Sequence, residues 1–164
     1  MSRISYGDYY DELAPLRWGA WEHNSRRALA GKRGQIALRE LEAALLALPE
    51  PKLAAKQFCV VRPRLGVPGL PIVEACALGA LAWHRGLAAR VPEKFNTEPL
   101  PPEVAIVPED DADAIDQARW AAEELGLTYT LAWNVMEAND EMFVNLSPER
   151  RWKAMVGWIR ENIQ

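Results

Sequence analysis

Leucines at 38, 41, 45 and 48 recur at steps of three and four, with Ala, Arg and Glu filling the positions between them. That spacing puts one apolar stripe on a helix over residues 35–48, built of good helix formers and stopped by Pro49 just past its end. Upstream, Trp18, Trp21, Ser25, Ala28 and Leu29 also fall at helical spacing, and Pro15 suits the first turn of a helix running to about Leu29. Gly31 and Gly34 interrupt the pattern and predict the turn between these two helices. Residues 6–14, in which Tyr6, Tyr9 and Tyr10 stand among acids, read as a segment that needs a neighbour.

The period then changes. Lys-Gln-Phe-Cys-Val-Val at 56–61 has the aromatic and β-branched content of a strand. Residues 62–71 hold three prolines and two glycines, which break either ladder and predict a loop. Ile72, Val73 and Ala75 return as the second strand of a short hairpin, which brings Cys59 and Cys76 near one another. Two strands alone are marginal, so helices should cover them.

From Cys76 to Leu87 the residues are small and apolar, and predict a helix. Ala75, Ala77, Gly79, Ala80 and Ala82 would let it approach a neighbour closely, with Leu78, Leu81 and Trp83 filling the remaining volume. A proline-rich connection over about 91–108 leads to a helical last third. There Asp111 or Asp113 can cap a helix through Leu125, and Gly126 can take the left-handed conformation that ends it. Thr128 can cap a second helix to about Asn139. Ser147 can cap a third, with Pro148 in its first turn and Trp152, Met155, Val156, Ile159 and Ile163 as its buried stripe.

These elements predict an α+β, mainly α domain: five to six helices, one small β-hairpin and a C-terminal helix-turn-helix-like pair. At 164 residues the chain is long enough to bury about two-thirds of its unfolded surface, and neither side of the proline-rich connection offers an ample core alone. A single domain over 1–164 follows. Apolar residues make up 49% and charged residues 26%, which excludes a mostly disordered chain. No apolar stretch is long enough for a membrane span and the first residues lack the apolar core of a signal peptide, so a cytoplasmic protein with free thiols is expected.

Charge changes the picture further. The net value of −4 hides ten acids against Lys94 and Arg119 between Glu93 and Glu124, a local −8 that leaves +4 elsewhere. Arg26, Arg27, Lys32 and Arg33 place four cations within eight residues. This basic patch, with Trp18 and Trp21 from a set of seven tryptophans, is the candidate partner-binding surface.

Catalytic candidates are few. Cys76 reads as a small buried cysteine that packs where Leu would not fit; its place at a helix N-terminus could lower the thiol pKa, which leaves a Cys-dependent enzyme as an alternative. His84, eight residues on, lies about 12 Å away along the helix axis, too far to take the thiol proton. Cys59, Cys76, His23 and His84 lack the close spacing of a metal site, and no metal or other cofactor is expected. The acids at 109–113 lack the glycine and closing Glu of a calcium loop. Phosphate-loop, dinucleotide, G-x-S-x-G and H-E-x-x-H signatures are absent.

Residues 121–135 carry the offsets of a helix-turn-helix core, with Ala122 four before Gly126 and Leu125, Leu127, Ala132 and Val135 apolar. A DNA-binding regulator is therefore a second alternative. The would-be recognition helix, 129–139, contains no Arg or Lys, and the preceding helix is acidic, so nucleic acid is not the expected partner.

The succession of a Leu/Ala-rich helix, Cys-Ala-Leu-Gly-Ala-Leu at 76–81, Asn139-Asp140, Ser147-Pro148-Glu149-Arg150 and a Trp-rich last helix resembles a family of small bacterial and phage proteins without a defined activity. The likeness touches residues 30–162 in short pieces. A phage or prophage setting implies a protein that binds and blocks a host factor, including a defence target in the manner of an anti-CRISPR protein. The expected function is thus non-enzymatic protein binding.

Overall fold

A computed structural model describes residues 22–55, 57–96, 111–143 and 145–164. Residues 6–14, the predicted helix start at Pro15, Trp18 and Trp21, most of the proline-rich connection and the side chains of Asp111 and Asp113 lie outside the described residues. The elements are α1 (22–30), α2 (Lys32–Leu46), β1 (Cys59–Arg62), β2 (Ile72–Ala75), α3 (Ala77–His84), α4 (Asp111–Glu124), α5 (Tyr129–Glu137) and α6 (Pro148–Asn162). Short 3-10 turns occupy Ala88–Arg90 and Glu93–Asn96, and a π turn extends α5 over Ala138–Met142. The chain is mainly helical with one antiparallel hairpin, in which Cys59 pairs with Ala75 and Arg62 with Ile72.

Helix α3 is the axis of the packing. Residues Ala77 to Ala82 are all buried, and α2, α5 and the hairpin pack around them. The leucine stripe of α2 faces inward, with Leu38, Leu41 and Leu45 at most 2% exposed. Met155, Val156 and Ile159 of α6 are buried with them, and the Trp152 indole donates to the Leu45 carbonyl at 2.9 Å. A second cluster joins the hairpin to α4: the Trp120 ring stands edge-on to Phe58 at 5.3 Å, with Phe95 alongside.

The small residues of α3 act as predicted. A Cβ added at Gly79 would sit 1.6 Å from the Phe58 carbonyl oxygen, so helix and strand touch backbone to backbone there. Gly34 corrects the sequence reading. It lies inside α2 rather than in the turn, and a Cβ on it would meet the Ala28 carbonyl oxygen at 1.8 Å. The single bend residue is Gly31, and Gly34 lets the end of α1 fold flush onto α2.

Helix ends follow local chemistry. Thr128 Oγ1 accepts from the Leu131 N–H at 3.2 Å and Ser147 Oγ from the Arg150 N–H at 3.4 Å, as the capping residues predict. Gly126 ends α4 at φ +60°, and Gly86 at φ +71° stops α3 before the predicted Leu87. Arg85 binds Glu40 of α2 through two nitrogens and donates to the Leu125 carbonyl at 2.7 Å, which ties α2, α3 and α4 together. The hydrogen bonds and charge of Arg85 hold the Glu40 carboxyl below its usual range despite burial.

Candidate protein-binding surface

The Cys/His pair of α3 separates in the structure as helix geometry requires. Cys76 is the N-cap, and its Sγ accepts from the Gly79 N–H at 3.4 Å. His84 is the last residue of the helix and is exposed. The lowered thiol pKa that the Cys-dependent alternative requires does not result. Burial, reinforced by the Asp140 charge, pushes the Cys76 thiol upward and outweighs its backbone hydrogen bonds. Burial alone raises Cys59 from 9.0 to about 11.

Both cysteines are free and buried, so iodoacetamide near neutral pH should modify them slowly in the folded protein and rapidly in urea. Between pH 9.0 and about 11 the unfolded chain loses the Cys59 proton that the native state keeps, so stability should fall as pH rises through that window. Replacing Cys59 by Ala should flatten that slope in urea titrations. Among the described residues no group of three or more His, Cys, Asp or Glu could hold a metal ion.

The polar residues beside Cys76 are structural. Asn139 is fully buried in the π turn; its Oδ1 accepts from the Ala77 N–H at 3.3 Å and its Nδ2 donates to the Ala54 carbonyl at 3.0 Å. Arg151, 5% exposed, donates to the carbonyls of Leu53 and Leu146, each at 2.8 Å, and of Phe143 at 3.2 Å. Together these two side chains join the 53–54 segment, α3, the π turn and α6. Sequence reasoning missed Arg151, which looks like one cation of a solvated first turn.

Helices α4 and α5 pack against each other across the four-residue turn 125–128. Leu131, Ala132, Asn134, Val135 and Met136 of α5 are buried, and its exposed residues are Tyr129 and Glu137. That face offers no cation to a phosphate.

The predicted basic patch is assembled at the elbow between α1 and α2. Arg26 and Arg27 lie on α1, Lys32 and Arg33 in the first turn of α2, and all four are exposed. Arg26 pairs with Glu22 at 2.6 Å, whereas Arg27, Lys32 and Arg33 make no ion pair among the described residues. Gln35 braces the elbow: its Nε2 donates to the carbonyls of Leu29 at 2.9 Å and Asn162 at 2.8 Å, and its Oε1 accepts from the Gln164 N–H at 2.7 Å. The predicted anchors Trp18 and Trp21 lie outside the described residues. Trp83, Trp120, Trp133, Trp152 and Trp158 are each half-buried against the core.

Exposed apolar surface gathers instead at the hairpin tip, which the sequence reading treated only as a loop. Leu65 is 94% exposed, Leu70 53%, and Val61 and Val67 43% each. Pro63, Pro68 and Pro71 restrict the backbone, and Gly66 and Gly69 turn it at φ +81° and +90°. The tip is therefore an exposed apolar surface on a backbone with three restricted φ angles. The signal for it was the run Leu-Gly-Val-Pro-Gly-Leu, where turn residues alternate with apolar rather than polar ones.

At the base of the hairpin the charges balance. Arg64 pairs with Glu50, Lys52 with Glu50 at 3.0 Å and with Glu149 at 3.6 Å, and Arg62 with Glu74 at 3.6 Å. At the Cys59–Ala75 end the outer edges of the hairpin are capped by neighbouring segments. The Ala75 carbonyl accepts from the Ala54 N–H at 2.9 Å and the Cys59 N–H donates to Asn96 Oδ1 at 2.8 Å, so this residue pair faces outward. Ladder alternation next turns Val61 and Val73 outward, then Pro63 and Pro71, which have no N–H to offer.

Comparison with protein-family models, with curated proteins and with solved structures finds no match to this chain.

Proposed function

We propose that the protein is a non-enzymatic binding module that docks its hairpin tip into an apolar pocket of a protein partner. The observation that carries this reading is the exposure of Leu65, Val67 and Leu70 on a backbone stiffened by three prolines. Apolar side chains on a stiff loop lose little entropy on binding, and burying each one favours association. Balanced charges around the base add no field of either sign, which suits an uncharged pocket. No helix of the described residues is long and apolar enough to cross a membrane. In the setting that the 76–81 resemblance implies, the partner is a host factor and binding blocks it.

Affinity capture from bacterial lysate tests the proposal. The native chain should retain a discrete partner, and Leu65→Ser with Leu70→Ser should lose at least about tenfold in affinity while melting unchanged. A double variant that captures the same partner as strongly would remove the tip from the interface.

A further inference from the structure

The cationic elbow is a second surface, distinct from the hairpin tip. Residues 22–39 hold Arg26, Arg27, Lys32, Arg33 and Arg39 against the single acid Glu22. Ile36 stands among them on the outer face of α2, 58% exposed, one turn from Lys32 and Arg33 on one side and from Arg39 on the other. Arg39 donates to the Gln164 carbonyl at 2.6 Å, which holds its side chain beside this face. Lys32 and Arg33 occupy the positive end of α2, whose first turn holds no acid.

We infer that the elbow binds an acidic protein segment carrying an apolar side chain, with acids meeting Arg27, Lys32 and Arg33 and the apolar group covering Ile36. Charge complementarity selects the acids. The aliphatic centre selects protein over nucleic acid, because phosphates pressed over the exposed Ile36 would bury apolar surface against charge. The Gln35 brace and the flush contact at Gly34 fix the two helices, so the backbone positions that carry the cations are set.

The test uses the full chain and three fluorescent probes: a glutamate peptide with a central Leu-Leu pair, the same peptide with Ser-Ser at its centre, and a short DNA duplex. The Leu-Leu peptide should bind at low ionic strength and weaken as salt rises. The Ser-Ser peptide should bind about tenfold more weakly, and Ile36→Ser should reduce Leu-Leu peptide binding by a similar factor. Lys32→Glu with Arg33→Glu should abolish binding, whereas Leu65→Ser should leave it unchanged, which separates this site from the hairpin tip. These side chains are exposed, and unchanged thermal melts confirm that each variant is folded. Absence of peptide binding at low salt, an Ile36→Ser variant that binds like the native chain, or tighter binding of the duplex would each overturn the inference.

Discussion

Replacing Arg151 by methionine should destabilise the fold by about 3–5 kcal/mol, read as a lowered midpoint in urea. The methionine keeps much of the apolar stem, so the loss reports on the guanidinium. That group reaches the carbonyls of Leu53, Phe143 and Leu146 from a side chain that is 5% exposed. Each hydrogen bond to a charged donor contributes about 1.5–3 kcal/mol, and a buried carbonyl left without one retains its desolvation cost. Lysine at this position should recover part of the loss, because a point charge cannot serve the positions reached by a planar fork. A loss under about 1 kcal/mol for the methionine variant would show that the three carbonyls find other partners on relaxation.

Gly79→Ala should destabilise by about 3 kcal/mol or more, although alanine is the better helix former by about 1 kcal/mol. Helix propensity and packing oppose each other here, and packing is larger. The added methyl would lie 1.6 Å from the Phe58 oxygen and 2.6 Å from its carbon, atoms of a backbone that cannot swing aside as a side chain end can. Helix and hairpin must separate to admit it, which also loosens the Phe58, Phe95 and Trp120 cluster. Gly157 on α6 shows the contrast, since the same added atom there meets nothing within 4 Å. Denaturation of the alanine variant measures the effect, and a midpoint equal to that of the native chain would show that the α3 contact is not tight.

Much of the fold is legible along the chain because local chemistry and burial agree. The leucine step through α2, the Thr128 and Ser147 caps, the left-handed Gly126 and the proline-rich turn of the hairpin each follow from a few neighbouring residues. The small residues of α3 announced a close approach, and only the partner, the Phe58 backbone, was missing. The four cations near one bend were legible as neighbours along the chain, and all four are exposed.

Other features depend on what lies across the chain. Arg151 and Glu149 both belong to the first turns of α6, yet one is buried and the other exposed, and the difference is the carbonyls of residues 53, 143 and 146 that gather around the guanidinium. Cys76 read as a small buried cysteine, with an acidity gained from its helix only as the alternative. Its surroundings removed solvent, and desolvation outweighed the helix. The tip leucines read as ordinary loop residues along the chain, yet among the described residues Leu65 and Leu70 stay exposed.

By itself the amino-acid sequence determined the helical and hairpin elements, most of their ends, the stripes they bury and the cationic run at the elbow, because periodicity, capping and backbone restriction act over a few residues. Only the tertiary structure decided which polar groups lose water and which apolar groups keep contact with it. Burial is a property of the whole assembly, and it turned Asn139 and Arg151 into internal fasteners and left Leu65, Leu70 and Ile36 facing outward.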